Sequence, residues 1–138
     1  MVNGTYLLFI TLHSPKRVQV GSLGTIDIVA GEYCYVGSAM NGLRHRIKRH
    51  MSSEKKTRWH IDRLTLLADH MEAFVSLDPI HECVLADIAE KSGCTQAFKG
   101  FGSSDCRCRT HLFIVDNMSK QELLKASGTV PFLHEPAV

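Results

Sequence analysis

The chain has 138 residues, a formal net charge of +2 with its histidines neutral, 44% hydrophobic residues and 22% charged ones. That length suits one domain with an ordinary core, and that composition excludes a disordered or fibrous chain. No apolar run approaches the ~20 residues that span a bilayer and Met1 opens no signal-peptide pattern, so no membrane and a cytoplasmic location are expected.

Gly4 to Leu12, "GTYLLFITL", is an unbroken apolar run and predicts a central strand. Val18 and Val20 in "RVQV", then Ile26 and Ile28 in "TIDIVA", alternate on either side of a turn at Gly21, Ser22 and Gly24. "YCYVG" is a further extended piece ending at Gly37. Separations this short predict hairpins and an antiparallel sheet. Over Leu43 to Met51 the residues Leu43, Ile47 and His50 fall at i, i+4, i+7 and predict a helix. "TRWHIDRLTLLADH" predicts a second helix with Leu64, Leu66 and Leu67 as its apolar surface, and "EAFVSL" predicts a strand. Asp78 as N-cap and Pro79 at the first helical position open a helix from Ile80 to about Lys91, which Ser92-Gly93 stops. "HLFIVD" is a strand, Ser119 to Glu122 reads as a capping box for a last helix over Lys120 to Ala126, and Val130 to Val138, with Pro131 and Pro136, reads as a tail. The sum is an α+β domain over residues 1–138.

Charge is clustered. Arg44, Arg46, Lys48, Arg49, Lys55, Lys56, Arg58 and Arg63 face only Glu54 and Asp62 in the same stretch, and Lys99, Arg107 and Arg109 form a second group. Such local density suits a phosphate-rich partner; the competing reading is a solvated helix face. Arg46 lies ~60° from Leu43 on the helical wheel, at the margin of the apolar stripe, while His45, Lys48 and Arg49 point outward. His50 sits almost within the stripe, where a core histidine and a proton-transfer group are equal readings. Tyr33 and Tyr35 share one strand face and leave Cys34 on the other. A phenol becomes a useful base only beside a cation or metal. On the helix after Pro79, Ile80, Val84 and Ile88 make a core stripe, with Glu82 on the other side beside Leu85, Ala86 and Ala89. A carboxylate among apolar residues wants a partner or an ion, and one carboxylate with waters and substrate phosphate suits Mg²⁺.

The cysteines Cys34, Cys83, Cys94, Cys106 and Cys108 are odd in number, which favours reduced thiols or metal ligands over disulfides. Cys106, Cys108 and His111 in "DCRCRTH" could hold zinc, but C-x-C is not the usual knuckle spacing and a reduced thiol pair is favoured. Gly100, Gly102, Ser103 and Ser104 could present backbone amides to a phosphate.

Gly4-Thr5-Tyr6 and Tyr35-Val36-Gly37 resemble the two halves of the GIY-YIG nuclease signature. "YVGSAMNGLRHRI" is similar to the family's turn into the helix that carries its catalytic arginine, which puts Arg46 in that position. "GEYCYVGSA", "RIKRH", "WHIDRL", "HEC" and "GFGSSDCRC" with "THLF" extend the resemblance, over nearly the whole chain, to small GIY-YIG-like proteins, some fused to DNA-repair glycosylases. The resemblance implies a small antiparallel sheet flanked by helices, with an inserted hairpin near 13–30 and a C-terminal strand–helix extension. It implies metal-dependent cleavage of nucleic acid, DNA before RNA, with a DNA-repair protein as a further partner. Tyr6, Tyr35 and Arg46 would be catalytic, and His50 joins them on the reading above. Glu82 would hold Mg²⁺ or Mn²⁺. Arg44, Lys48, Arg49, Lys55, Lys56 and Arg63 would meet the backbone of the nucleic acid. Tyr33, Gly37, His60 and Asp62 would support the site, Asp62 by fixing Arg46 or Arg63, and Trp59 belongs in the core. The family's late asparagine has no match in "GFGSSDC", so a binding module without turnover and a zinc-stabilised interaction domain stay open as alternatives.

Overall fold

The computed structural model describes residues 4–20, 24–39, 42–52, 60–76, 82–97 and 110–132. In chain order the elements are β1 (Gly4–Leu12), β2 (Lys16–Val20), β3 (Gly24–Ile28), β4 (Gly31–Ala39), α1 (Leu43–Met51), α2 (His60–Thr65), β5 (His70–Val75), α3 (Glu82–Lys91), β6 (Thr95–Gln96), β7 (Leu112–Val115), α4 (Asn117–Ser127) and β8 (Val130–Pro131). The fold is α+β. A six-stranded sheet runs in the order β6-β7-β4-β1-β5-β8, antiparallel throughout, and β2-β3 form a separate two-stranded hairpin. The apolar run of β1 is explained by its place between β4 and β5, where both its faces are covered.

Register assigns the faces, because directly opposed residues of an antiparallel pair point the same way. Tyr6 opposes Gly37, Leu8 opposes Tyr35 and Ile10 opposes Tyr33. These join Leu43, Ile47, Ile61 and Leu64 from α1 and α2, and Val18, Val20 and Ile28 from the hairpin, in one core. The hairpin expected near 13–30 therefore caps that core with its inward valines and isoleucine. The other face sets Leu7, Phe9, Cys34, Val36 and Phe113 against Leu85, Ala86 and Ala89 of α3 and Leu123 of α4.

Several expectations need correction. On α3 the buried stripe is Leu85, Ala86 and Ala89, whereas Val84 is 53% exposed and Ile88 is half-buried. Glu82 leads that stripe at i, i+3, i+4, i+7, beside Leu85, Ala86 and Ala89 as expected; with two apolar stripes on one helix, the packing chose this one over Val84 and Ile88. Asp78, Pro79 and Ile80 lie outside the described residues. The described part of α2 ends at Thr65, and Leu66 and Leu67 follow in an exposed turn, so Leu64 alone of the three leucines joins the core. The last helix begins earlier than expected. Asp116 is its N-cap, accepting a 2.7 Å bond from the Ser119 N–H, while the Ser119 hydroxyl accepts from the Asp116 N–H; Ser119 is the third helical residue. Such a reciprocal cap stabilises by about 1 kcal/mol. The supposed tail supplies β8, paired to Phe74 and Val75 of β5, and β6 was not foreseen. No helix among the described residues is long and apolar enough to cross a membrane.

Candidate active site

The site is built at one end of the sheet, where the start of β1 runs beside the end of β4. Tyr6 is 1% exposed, and its ring lies across Gly37 of the neighbouring strand. A Cβ at Gly37 would stand 2.4 Å from Tyr6 Cζ and 2.4 Å from its hydroxyl. That is the physical reason for glycine after Tyr35-Val36: any side chain would evict the phenol.

Helix α1 closes over this end. Leu43, Ile47 and His50 are its buried residues, as the spacing predicted. His50 Nε2 comes within 2.5 Å of Tyr6 Oη, and the two ring centroids are 5.4 Å apart. Tyr35, half-buried, stands 6.1 Å from His50 in an edge arrangement and 6.5 Å from Tyr6. Arg46, one turn before His50, bonds the Ser38 carbonyl at 3.2 Å, and its guanidinium lies close enough to Tyr6 to act on the phenol. A guanidinium only donates, so toward Arg46 the Tyr6 oxygen can act only as an acceptor. Between Tyr6 Oη and His50 Nε2 either atom can carry the shared proton, depending on the imidazole tautomer. Burial raises the Tyr6 pKa well above the usual phenol value, Tyr35 and Glu82 add to the rise, and Arg46 opposes it. Tyr6 is therefore a neutral phenol at physiological pH, with a cation and an imidazole beside its hydroxyl.

Glu82 approaches from the other face. Helix α3 packs behind the sheet, but Glu82 is its first residue, and its charge is near enough to act on Tyr6. The β4–β7 pairing ends at Tyr35, with a last bond from the Val36 N–H to the His111 carbonyl. Beside that end, buried His111 places Nδ1 3.8 Å from Glu82 Oε2, whose side chain is 27% exposed. Among the described residues no three His, Cys, Asp or Glu side chains gather as a metal cage. One partly exposed carboxylate at a helix N-terminus suits a hydrated Mg²⁺ or Mn²⁺ that takes its other ligands from water and phosphate. Of the residues named for zinc, His111 faces Glu82, and Cys106 and Cys108 lie outside the described residues.

The remaining sites divide. Arg44, Lys48 and Arg63 are exposed. Arg49 is not an outward cation. Its two terminal nitrogens bind the two oxygens of Asp62 at 2.8 and 2.9 Å, and Asp62 is completely buried. Asp62 thus fixes Arg49, a partner that the expectation for Arg46 or Arg63 did not name; the arginine reaches sideways to α2, where a buried carboxylate stands. Tyr33 donates to the Val29 carbonyl at 2.7 Å and so braces the connection that leads into β4. His60 opens α2, while Lys55, Lys56, Arg58, Trp59, Lys99, Gly100, Gly102, Ser103, Ser104, Arg107 and Arg109 lie outside the described residues. Sequence reasoning missed the Ser38 carbonyl and the part of His111 beside Glu82. The first carries no side-chain signal, and the second was masked by neighbouring cysteines that suggested zinc.

No curated protein and no solved structure gives a significant match to the chain. Residues 5–130 match the family described as "Domain of unknown function DUF123". That span begins just before Tyr6 and takes in Tyr35, Gly37, Arg46, His50, Asp62, Glu82 and His111, and the chain belongs to the DUF123 family.

Proposed function

We propose that the protein is a metal-dependent nuclease of the GIY-YIG type, hydrolysing phosphodiester bonds of nucleic acid, DNA in the first place. The observation that carries the reading is the buried Tyr6 hydroxyl held between Arg46 and His50 Nε2. A structural tyrosine needs one partner; this one has a cation to receive a phosphate and a base to receive a proton.

Arg46, bonded to the Ser38 carbonyl and close to Tyr6, would turn its charged fork to a phosphate oxygen of the substrate. Tyr6 takes a proton from the attacking water as its own passes to His50 Nε2, so no phenolate has to form beforehand. This relay matches a phenol whose pKa is raised. Half-buried Tyr35 flanks the pair and offers a second hydroxyl to water or phosphate. When bound at Glu82, a divalent cation supplies charge neutralisation at the phosphate and the leaving oxygen. Arg44, Lys48 and Arg63 hold the backbone without reading sequence.

The test is a panel of branched, flapped, nicked and single-stranded DNA and RNA, incubated with Mg²⁺ or Mn²⁺ or with chelator. Cleavage should require the cation. Glu82→Gln and Arg46→Ala should each lower it by about 10²–10³, with nucleic-acid affinity kept in Glu82→Gln. Binding without cleavage across the panel would replace the nuclease with a binding module.

A further inference from the structure

Asp62 lies in a place that stability alone does not explain. It is 0% exposed, on the short helix α2, and its carboxylate accepts a two-pronged bond from Arg49 at 2.8 and 2.9 Å. Burying an ion pair roughly cancels its own attraction against lost hydration, so an apolar pair would hold α1 on α2 as firmly. What an apolar pair lacks is direction. A planar fork against a carboxylate fixes angle as well as distance.

Helix α1 needs such a constraint. It has nine residues, starts at Gly42 with φ 112 and has no side-chain N-cap. Arg46 and His50 are four apart on it, and Arg49 stands between them in sequence, three residues after Arg46 on the same flank. A roll of ~10° about an axis ~6 Å away displaces a side-chain tip by about 1 Å. A misplacement of that size can cost on the order of 10²-fold in rate. We propose that Asp62 is a positioning residue, which through Arg49 sets the roll of α1 so that Arg46 and His50 meet Tyr6. The proposal rests on the nuclease reading for its effect on rate, and on geometry alone for its effect on His50.

The experiment uses the full chain and two variants. Asp62→Asn keeps the shape and removes the charge; Arg49→Lys keeps a charge and removes the fork. The first readout is the ¹⁵N resonances of the His50 ring, identified with His50→Gln, which report its bond to Tyr6 without any substrate. The second is single-turnover cleavage at saturating nucleic acid, with affinity and its salt dependence measured alongside. Both variants should shift the His50 resonances and slow cleavage by about 10- to 100-fold, with affinity and salt slope unchanged, because the pair is turned inward. A folded variant with wild-type His50 resonances would overturn the proposal. So would a salt slope reduced by about one in Arg49→Lys, which would make Arg49 a phosphate contact. Should Asp62→Asn fail to fold, Arg49→Lys decides. Should wild-type protein cut nothing, the nuclease reading falls while the His50 resonances still judge the positioning.

Discussion

The two faces of β1 and β4 bury side chains of similar bulk for different ends. Behind the sheet, Leu7, Phe9, Cys34, Val36 and Phe113 meet Leu85, Ala89 and Leu123 in an apolar layer. There burial raises the Cys34 thiol pKa well above its ordinary value, so it stays an inert thiol. In front, the same depth holds a tyrosine hydroxyl, an imidazole and a carboxylate: Tyr6, His50 and Asp62. Buried polar groups are costly unless partnered, and a front layer of leucines would be the easier core. The difference teaches that the rear face is optimised for holding the sheet together, and the front face for holding particular atoms in particular places. Two substitutions, one on each face, make that contrast measurable.

The largest effect on stability should come from the rear. Phe9 packs edge-on against Phe74 at 5.6 Å between ring centroids and carries the Lys120 ammonium 4.6 Å above its ring. Lys120 in turn bonds Glu32 and Glu72, so the ring underlies a three-residue ionic brace. Phe9→Ala should cost about 3–5 kcal/mol in urea unfolding. Cleavage per folded molecule should stay as in wild type, since no reacting group touches that ring. A rate loss beyond the folded fraction would mean that the two faces are not separable.

The front face should answer the other way. Gly37→Ala places a methyl group 2.4 Å from the Tyr6 ring, and a ring pinned by Arg46 and His50 cannot yield without leaving them. Overpacking of this kind costs about 1–3 kcal/mol. On the proposed mechanism cleavage should fall by about 10²–10³, because Tyr6 would be displaced from both His50 and Arg46. If the variant cuts at the wild-type rate, the Tyr6 hydroxyl has no part in the chemistry.

How far these layers could be read beforehand follows from where their information sits. The strand β1 and the Leu43, Ile47 and His50 stripe are local patterns, written in period and residue type, whereas the need for Gly37 comes from Tyr6 on the neighbouring strand and was marked only by the family resemblance. The Arg49–Asp62 fork joins residues 13 apart across two helices, and nothing in either residue names its partner. The inward side of α3 was undecidable because Val84 and Leu85 sit on rival stripes, and only the sheet behind selects one. Asp116 and Ser119 are both good caps three residues apart, so the true start of α4 depended on which backbone amide was left free. The pairing of β8 follows from an open strand edge at β5, which composition does not express.

The smallest effect tests the outer surface, where two basic stretches look alike in sequence. On the hairpin, Arg17 binds Asp27 at 2.8 Å and Thr25 binds Gln19 at 2.8 Å, so the outward side chains of β2 and β3 answer one another. On α1, Lys48 is exposed, one turn after exposed Arg44 and with no acid in the helix's first turn. Counterion release counts only cations that a phosphate can reach. Lys48→Gln should weaken nucleic-acid binding evenly across sequences and lower the slope of log K against log salt by about one. Arg17→Gln, which removes the same formal charge, should leave the slope unchanged because Asp27 already occupies that guanidinium. Equal slopes for the two variants would show that the polyanion does not distinguish α1 from the hairpin, and that overall charge, not the site's own helix, draws it in.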